Sequence, residues 1–158
     1  MNHTQLNFAL DAIVQTRKNM IYVLNQLAEQ SNYGKPMGFN NHPLWNFGHS
    51  VTTFCMLTYG LSNLPIPLSP EFVLKYKKGS TSTDFWSLSE LEEVKNASKS
   101  AINQLIQDLT NQTFVSFSPY QTSYGSHLST IEEAIVFNLA HEGLHLGYIM
   151  AQKRVLLA

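Results

Sequence analysis

The sequence predicts an all-α protein, a four-helix bundle with long crossover connections. Apolar residues recur at helical spacing in four long stretches of the chain, and no strong strand pattern competes with them. Two of the connections between these stretches are long enough to cross the bundle. The 158 residues contain no internal repeat and no break in composition, so we expect one domain covering residues 1–158.

The first helix is predicted at about residues 4–29. Its apolar side chains recur three, four or seven residues apart, which places them on one helical face. Gly34 and Pro36 follow this pattern and end it. The residues of the face are Leu6, Leu10, Ile13, Met20, Leu24 and Leu27.

The second helix is predicted to begin near Pro43, because proline is favoured in the first helical turn, and to run to about Leu61. It has two nearly opposite apolar faces, so we expect it to be buried between its neighbours. One face carries Leu44, Phe47, Val51, Phe54, Thr58 and Leu61, and the other carries Trp45, His49, Thr52 and Met56.

The third and fourth helices each begin with a serine that is followed three residues later by a glutamate. These pairs are Ser87 with Glu90 and Ser129 with Glu132. The spacing is typical of a capping box, in which the two side chains satisfy free backbone N–H groups at the start of a helix. The third helix continues with Leu91, Val94, Ile102, Leu105 and Leu109 on its apolar face, and the fourth runs nearly to the C-terminus.

Two connections are unusually long. Residues 63–86 contain three prolines at 65, 67 and 70, and Ser69-Pro70 predicts a short helix at residues 70–76. Residues 111–128 form the second long connection, within which residues 113–117 are the one candidate strand. A long connection in a small bundle is either a wall of a site or a plain spacer.

Composition excludes several classes of function. The net charge is −1 and only 13% of the residues are charged, so no basic surface is available to neutralise nucleic-acid phosphates. The single cysteine, Cys55, excludes an internal disulfide and a metal site built on two or four cysteines. We expect Cys55 to be a small buried hydrophobic residue rather than a nucleophile.

The sequence also predicts a cytoplasmic protein that is not associated with a membrane. The N-terminal residues lack the basic and apolar segments of a signal peptide. The longest apolar stretch, residues 134–151, contains two histidines and a glutamate, which argues against a membrane span. A single cysteine is compatible with a reducing compartment.

The segment His141-Glu-Gly-Leu-His145 carries the strongest functional signal. Residues four apart on a helix lie on one face about 6 Å apart, so both imidazoles can reach one metal ion. Asn138, Tyr148 and Gln152 share this face by their spacing. The chain contains six histidines, so a chance pair on a packed helix is the alternative.

The same segment matches the H-E-x-x-H pattern of zinc peptidases, but that function is disfavoured. Such enzymes take a third metal ligand after the motif. The residues after His145 include no His, Asp, Glu or Cys. Glu142 lies 100° around the helix axis from His141, so it can orient a metal ligand, reach solvent or reach an interface.

The best candidate for a third metal ligand is His49, which lies within an apolar helix where a histidine needs a polar partner. A hydrogen-bonded core histidine is the alternative, but the presence of the His141 and His145 pair in the chain favours a ligand. We expect His3, His42 and His127 to lie at the surface, to cap a helix or to form local hydrogen bonds.

Three segments resemble the DinB/YfiT-like superfamily: HPLWNFGHS at 42–50, YKKGS at 76–80 and FNLAHEGLHLGYI at 137–149. The resemblance implies an up-down-down-up four-helix bundle and a divalent metal, typically nickel or zinc, held by His49, His141 and His145. It also implies that a homodimer is common. Some members are thiol S-transferases that use bacillithiol, mycothiol or glutathione-like thiols, and others are described as metal-dependent hydrolases.

Three histidines with one open coordination position are typical of a catalytic metal site. The open position accepts water or a substrate thiol, and the resemblance favours thiol transfer on a small molecule. Tyr148 and Gln152 would contact the substrate or cofactor or form a polar rim, and Trp45 would pack against the site or in the core. The alternatives are a non-catalytic metal or small-molecule binding protein and, remotely, a metallopeptidase.

Overall fold

The computed structural model describes residues 3–158 and, at His3, the backbone alone. These residues form an all-α structure with one short hairpin, and the predicted fold class is confirmed. The helices are α1 (His3–Glu29), α2 (Pro43–Cys55), α3 (Pro70–Tyr76), α4 (Leu88–Thr110) and α5 (Ile131–Leu156), and the strands are β1 (Tyr120–Gln121) and β2 (His127–Leu128). None of the described helices is long and apolar enough to cross a lipid bilayer.

Helices α1, α2, α4 and α5 form the bundle in an up-down-down-up arrangement, as predicted. Helices α1 and α5 run parallel, since Asn32, just after α1, donates a hydrogen bond to the carbonyl of Leu156 at the end of α5. Helix α4 is antiparallel to α1, because Lys95 near its start contacts Asn25 near the end of α1. Helix α2 packs between α4 and α5.

The predicted apolar face of α1 is confirmed. Leu10, Ile13, Met20, Leu24 and Leu27 are buried, and Leu6 packs against the core at its edge. Every residue of α2 except Thr53 is buried, as its two apolar faces predicted. The central position of α2 matters for the site below, because any polar side chain on this helix points into the bundle or into a cleft between helices.

The helical stretch that begins at Pro43 ends at about Leu61, as predicted, but its last turn is not α-helical. A π-helical turn, Met56–Gly60, follows Cys55, and the N–H of Leu61 donates to the carbonyl of Met56, five residues earlier. The hydroxyl of Thr58 donates to the carbonyl of Phe54 at 2.7 Å, so it occupies an acceptor of the regular helical ladder. Such side-chain bonds compete with the helix and favour a local bulge.

The starts of the two long C-terminal helices differ in how well they were predicted. Ser87 and Glu90 form the predicted capping box of α4. At α5 the prediction is one residue early, because Thr130 is the N-cap and accepts from the N–H of Glu133. Two serine or threonine to glutamate pairs overlap in this stretch, and burial of Ile131, Ala134 and Ile135 decides between them.

The one candidate strand, residues 113–117, does not form a strand. The hairpin forms later, where Tyr120 pairs with Leu128. Phe114 and Phe117 pack against the core. These two side chains therefore attach a long connection to the bundle.

His42 caps α2, and its protonation should destabilise the fold. Its Nδ1 accepts a hydrogen bond from the N–H of Trp45 at 2.9 Å. Burial lowers the pKa of His42 to about 4, against a smaller opposing effect of Glu90. Between that pH and the ordinary pKa of about 6.5, the unfolded chain binds more protons, so stability falls as the pH drops through this window.

We expect His42→Asn to reduce this acid sensitivity, because asparagine caps helices well and does not titrate. The loss of unfolding free energy between pH 7 and pH 5 should be smaller in the variant by about 1–2 kcal/mol. Urea unfolding of the metal-free proteins at both pH values measures this difference. An equal loss in both proteins would contradict the expectation.

Candidate metal centre

Three histidines from two helices converge in a cleft of the bundle. His49 comes from α2, and His141 and His145 come from α5. One nitrogen from each ring lies within 4.8 Å of the other two, and among the described side chains, residues 4–158, this is the one such group of histidine, cysteine or carboxylate side chains. Their ring centroids are 5.4, 5.0 and 4.6 Å apart. The antiparallel packing of α2 on α5 thus brings together the residues that the sequence singled out.

His49 is held by a backbone group. Its Nδ1 lies 2.8 Å from the carbonyl oxygen of Tyr76 at the end of α3. Because a carbonyl only accepts, Nδ1 carries the proton. The lone pair of Nε2 then accepts from the hydroxyl of Thr53 at 3.3 Å, a contact that a metal ion would replace. Trp45 stacks on the imidazole with a centroid distance of 4.7 Å and an interplanar angle of 7°, and its own N–H donates to Ser80 at 3.0 Å.

The short helix α3 lies close to α2 at this point because residue 48 is a glycine. A Cβ atom at Gly48 would lie 2.4 Å from the ring of Tyr76. The side chain of Tyr76 is fully buried against Phe72. Close approach of the two backbones is what allows the carbonyl of Tyr76 to reach His49.

His145 is held by a side chain. Its Nδ1 lies 2.9 Å from Oδ1 of Asn46, one turn before His49 on α2. The amide nitrogen of Asn46 donates to Oε1 of Gln152 at 3.0 Å, and Nε2 of Gln152 donates to the carbonyl of Asn41 at 2.7 Å. These contacts also leave Nε2 of His145 directed away from its partners.

His141 supplies the observation that tests the fit of a metal. Its Nδ1 is buried and has no hydrogen-bond partner within the described part of the chain. A buried polar atom without a partner costs free energy, and a coordinate bond would remove that cost. Nitrogens bound to one tetrahedral ion lie roughly 3.4 Å apart, so the side chains need only close in slightly. The residues present fit a divalent metal ion.

All three rings are neutral at pH 7. Burial lowers the pKa of His145 to about 3 and that of His141 to about 4, and neighbouring imidazoles add to both shifts. Burial also lowers the pKa of His49, although the carbonyl of Tyr76 opposes that shift. Neutral imidazole is the form that binds metal, so no proton has to be displaced at neutral pH.

The three residues predicted to contact a substrate or cofactor lie in different surroundings. Trp45 covers one face of His49. Tyr148 is half-exposed and packs edge-on against Phe39 at a centroid distance of 5.8 Å. Gln152 is buried, and both ends of its amide are hydrogen-bonded within the bundle. Contact of these residues with a bound molecule stays a prediction.

Glu142 does not face the histidines. Its carboxylate is buried on the other side of α5, where it forms an ion pair with Arg17 of α1 at 2.6 Å. The sequence analysis left three roles open for Glu142, and none of them is an ion pair inside the bundle. It did not identify Arg17 as a partner. The signal was present in the sequence, because Arg17 lies on the same face of α1 as Ile13, Met20 and Leu24.

His42, His127 and Cys55 are not part of the group of three histidines. His42 caps α2, and His127 is exposed in β2. The side chain of His3 lies outside the described residues. Cys55 is fully buried, and burial raises the pKa of its thiol to about 12, as expected of a small hydrophobic residue rather than a nucleophile.

Comparison with known proteins bears on both the fold and the histidines. The family model of the DinB superfamily matches residues 12–149. This span includes all of α2, α3 and α4, most of α1 and α5, and the three clustered histidines. A search of curated proteins found no match. Because the family match covers most of the chain and both helices of the site, the chain belongs to the DinB superfamily.

Proposed function

We propose that the protein is a metal-dependent enzyme that acts on a small molecule at a nickel or zinc ion held by His49, His141 and His145. One observation carries the proposal: three neutral imidazoles converge, and no fourth histidine, cysteine or carboxylate joins them among the side chains described, those of residues 4–158. Structural zinc sites are closed by four protein ligands, whereas three protein ligands and an open position are typical of catalysis.

The chemistry that the metal supplies when bound is activation of a water or a thiol as a nucleophile. The chain's own residues set the conditions for it. Because the histidines are neutral, the ligand set does not offset the charge of a divalent ion, which favours an anionic fourth ligand such as a thiolate or hydroxide. Lys78 adds positive charge near His49, where it contributes to the lowered pKa of that imidazole.

We favour thiol S-transfer over hydrolysis. Some relatives in the superfamily use low-molecular-weight thiols, as the sequence resemblance implied. The chain's only cysteine, Cys55, is buried and protonated at neutral pH, so a reacting thiol has to come from a second molecule. A metal held by His49, His141 and His145 would lower the pKa of a thiol of the bacillithiol, mycothiol or glutathione kind. The sulfur of that thiol would form the new C–S bond as the electrophilic substrate releases its leaving group.

The peptidase alternative loses its catalytic base. In H-E-x-x-H enzymes the glutamate acts on the metal-bound water. Here both oxygens of Glu142 accept hydrogen bonds from Arg17 inside the bundle. A non-catalytic metal-binding protein is the second candidate, and it differs in that its metal would not exchange a ligand with substrate.

Metal content tests the proposal. The wild type, His49→Ala and the matched control His127→Ala would be purified without chelator or histidine tag and measured by mass spectrometry. We expect near-stoichiometric metal in the wild type and in the control, because His127 is exposed in β2, and a large loss in His49→Ala. Wild-type protein that stays metal-free after reconstitution would contradict the proposal.

Binding of a thiol then separates an enzyme from a storage or binding protein. With nickel or cobalt in the site, 2-mercaptoethanol should produce a thiolate-to-metal charge-transfer band that saturates with thiol concentration. His49→Ala should show no such band. A loaded protein whose spectrum does not respond to thiol, and which catalyses no hydrolysis, would be a non-catalytic metal-binding protein.

A further inference from the structure

A buried chain of three hydrogen bonds connects the metal ligand His145 with the backbone just before α2. From His145 it runs through Asn46 at 2.9 Å and Gln152 at 3.0 Å to the carbonyl oxygen of Asn41 at 2.7 Å. Asn46 is 5% exposed and Gln152 is 1% exposed. Water therefore does not compete for these bonds, and each group depends on the partner it has.

The end of this chain decides its direction. The backbone carbonyl oxygen of Asn41 can only accept a hydrogen bond. Gln152 therefore has to direct its NH₂ group to Asn41 and its side-chain oxygen to Asn46. Asn46 then has to present its NH₂ group to Gln152 and its oxygen to His145. An acceptor facing Nδ1 requires that Nδ1 carry the proton. Side-chain amides can otherwise face either way, but here a backbone carbonyl removes the ambiguity.

We propose that Asn46 and Gln152 are positioning residues that hold His145 as its Nδ1–H tautomer, which leaves Nε2 unprotonated for the metal. The proposal rests on the metal site described above. In the reverse direction, the NH₂ group of Asn46 would face Nδ1, and the proton would move to Nε2, where it would block coordination. The carbonyl of Tyr76 holds His49 in the same tautomer directly.

The use of amides instead of a carboxylate has a chemical consequence. A carboxylate partner would draw the ring proton and make the imidazole a stronger donor to the metal. An amide oxygen orients the ring without adding charge, so the ligand set stays neutral. The chain of hydrogen bonds from His145 to Asn41 thus selects the tautomer of His145. It also leaves the positive charge of the metal in place for the proposed anionic ligand.

The first test is made on the metal-free protein. Long-range ¹H–¹⁵N correlation spectra of histidine-labelled wild type at pH 7.5 distinguish the two neutral tautomers of His145. We expect the Nδ1–H form in the wild type and, in Asn46→Leu, a mixture of both forms. In Gln152→Leu the carbonyl of His42, which also accepts from the NH₂ group of Asn46 at 3.4 Å, should leave a smaller share of the Nε2–H form. A wild-type ring protonated at Nε2 would overturn the proposal. Because no metal is involved, this outcome is separate from failure of the metal site.

The second test is the order of zinc affinities, measured by competition with a chelating dye. Aspartate at position 46 can only accept, so Asn46→Asp should preserve the tautomer and bind zinc about 10–100-fold more tightly than Asn46→Leu. Gln152→Leu should bind more weakly than the wild type. The control is Ser98→Ala, since Ser98 is a buried polar residue of α4, a helix that carries none of the three histidines, and its zinc affinity should equal that of the wild type.

If Asn46 and Gln152 served packing alone, the ranking would reverse, because leucine is tolerated in an apolar interior better than a carboxylate. Tighter binding by Asn46→Leu than by Asn46→Asp, or an unchanged affinity in Gln152→Leu, would overturn the proposal. If the wild type binds no zinc, the proposed metal site is refuted. The tautomer spectra then decide alone whether Asn46 and Gln152 hold His145 as its Nδ1–H form.

Discussion

Replacing Glu142 with leucine is expected to lower the free energy of unfolding by about 3–5 kcal/mol. The substitution leaves the guanidinium of Arg17 charged and without its carboxylate. Arg17 is 3% exposed, so water cannot take the place of the lost partner. Burial raises the pKa of Glu142, and the guanidinium of Arg17, 2.6 Å away, opposes that rise.

The size of the effect follows from how many elements the ion pair connects. Two nitrogens of Arg17 in α1 donate to Glu142 in α5, and the third donates to the carbonyl of Ser98 in α4. The guanidinium also lies over the ring of Phe54 in α2, 4.5 Å from its centroid. The buried guanidinium of Arg17 thus contacts all four helices of the bundle. Removing its carboxylate partner therefore destabilises the packing of each helix against it.

A double variant separates the charge from the packing. Arg17→Met combined with Glu142→Leu should recover most of the lost stability, since an apolar pair of similar volume replaces a desolvated ion pair. Glu92→Gln is the matched surface control, because its partner Lys95 lies at the edge of the bundle, and it should change stability by no more than about 1 kcal/mol. Urea unfolding measures all four proteins.

Two results would contradict this account. A loss of less than about 1 kcal/mol in Glu142→Leu would mean that the buried charge is accommodated, as at a surface site. A double variant that folds but no longer retains metal would mean that Glu142 acts at the metal centre. We expect the double variant to keep its metal, because neither Arg17 nor Glu142 belongs to the group of three histidines.

Replacing Gly48 with alanine is expected to destabilise the protein by about 1–3 kcal/mol and to weaken metal binding. The new methyl group would lie 2.4–2.6 Å from three ring atoms of Tyr76. That ring is fully buried, so it cannot turn aside without moving its own backbone. Displacement of Tyr76 would lengthen the hydrogen bond that Nδ1 of His49 donates to the carbonyl of Tyr76.

Helix α5 provides the control of opposite sign. Gly147 is exposed, and a Cβ atom there would meet nothing within 4 Å. Gly147→Ala should therefore stabilise the protein by roughly 0.5–1 kcal/mol, since glycine disfavours the helix interior. Thermal unfolding and dye competition for zinc measure both effects. A Gly48→Ala variant as stable as Gly147→Ala would refute the close-approach argument.

The cause of the Gly48 effect can be tested further. In a background of Tyr76→Leu, which removes the ring but retains the backbone carbonyl, Gly48→Ala should cost less than it does in the wild type. The difference between the two costs is the interaction energy of the methyl group with the ring. An unchanged cost would place the strain elsewhere on α2.

Sequence reasoning reached furthest where a signal is local. Helical periodicity predicted the buried face of α1, and the capping box predicted the start of α4, because both depend on residues within a few turns. The two places where the helices depart from these local predictions also have local causes. Overlapping cap pairs made the start of α5 ambiguous, and the hydroxyl of Thr58 altered the last turn of α2.

The sequence by itself determined the helical faces and the choice of His49, His141 and His145. Spacing marks His141 and His145, and an apolar setting together with that pair marks His49. Only the tertiary structure decided what lies behind these residues. The partners of Glu142 and Gln152 are 125 and 106 residues away in the chain. Contacts over such separations depend on how whole helices pack, and no local pattern encodes them.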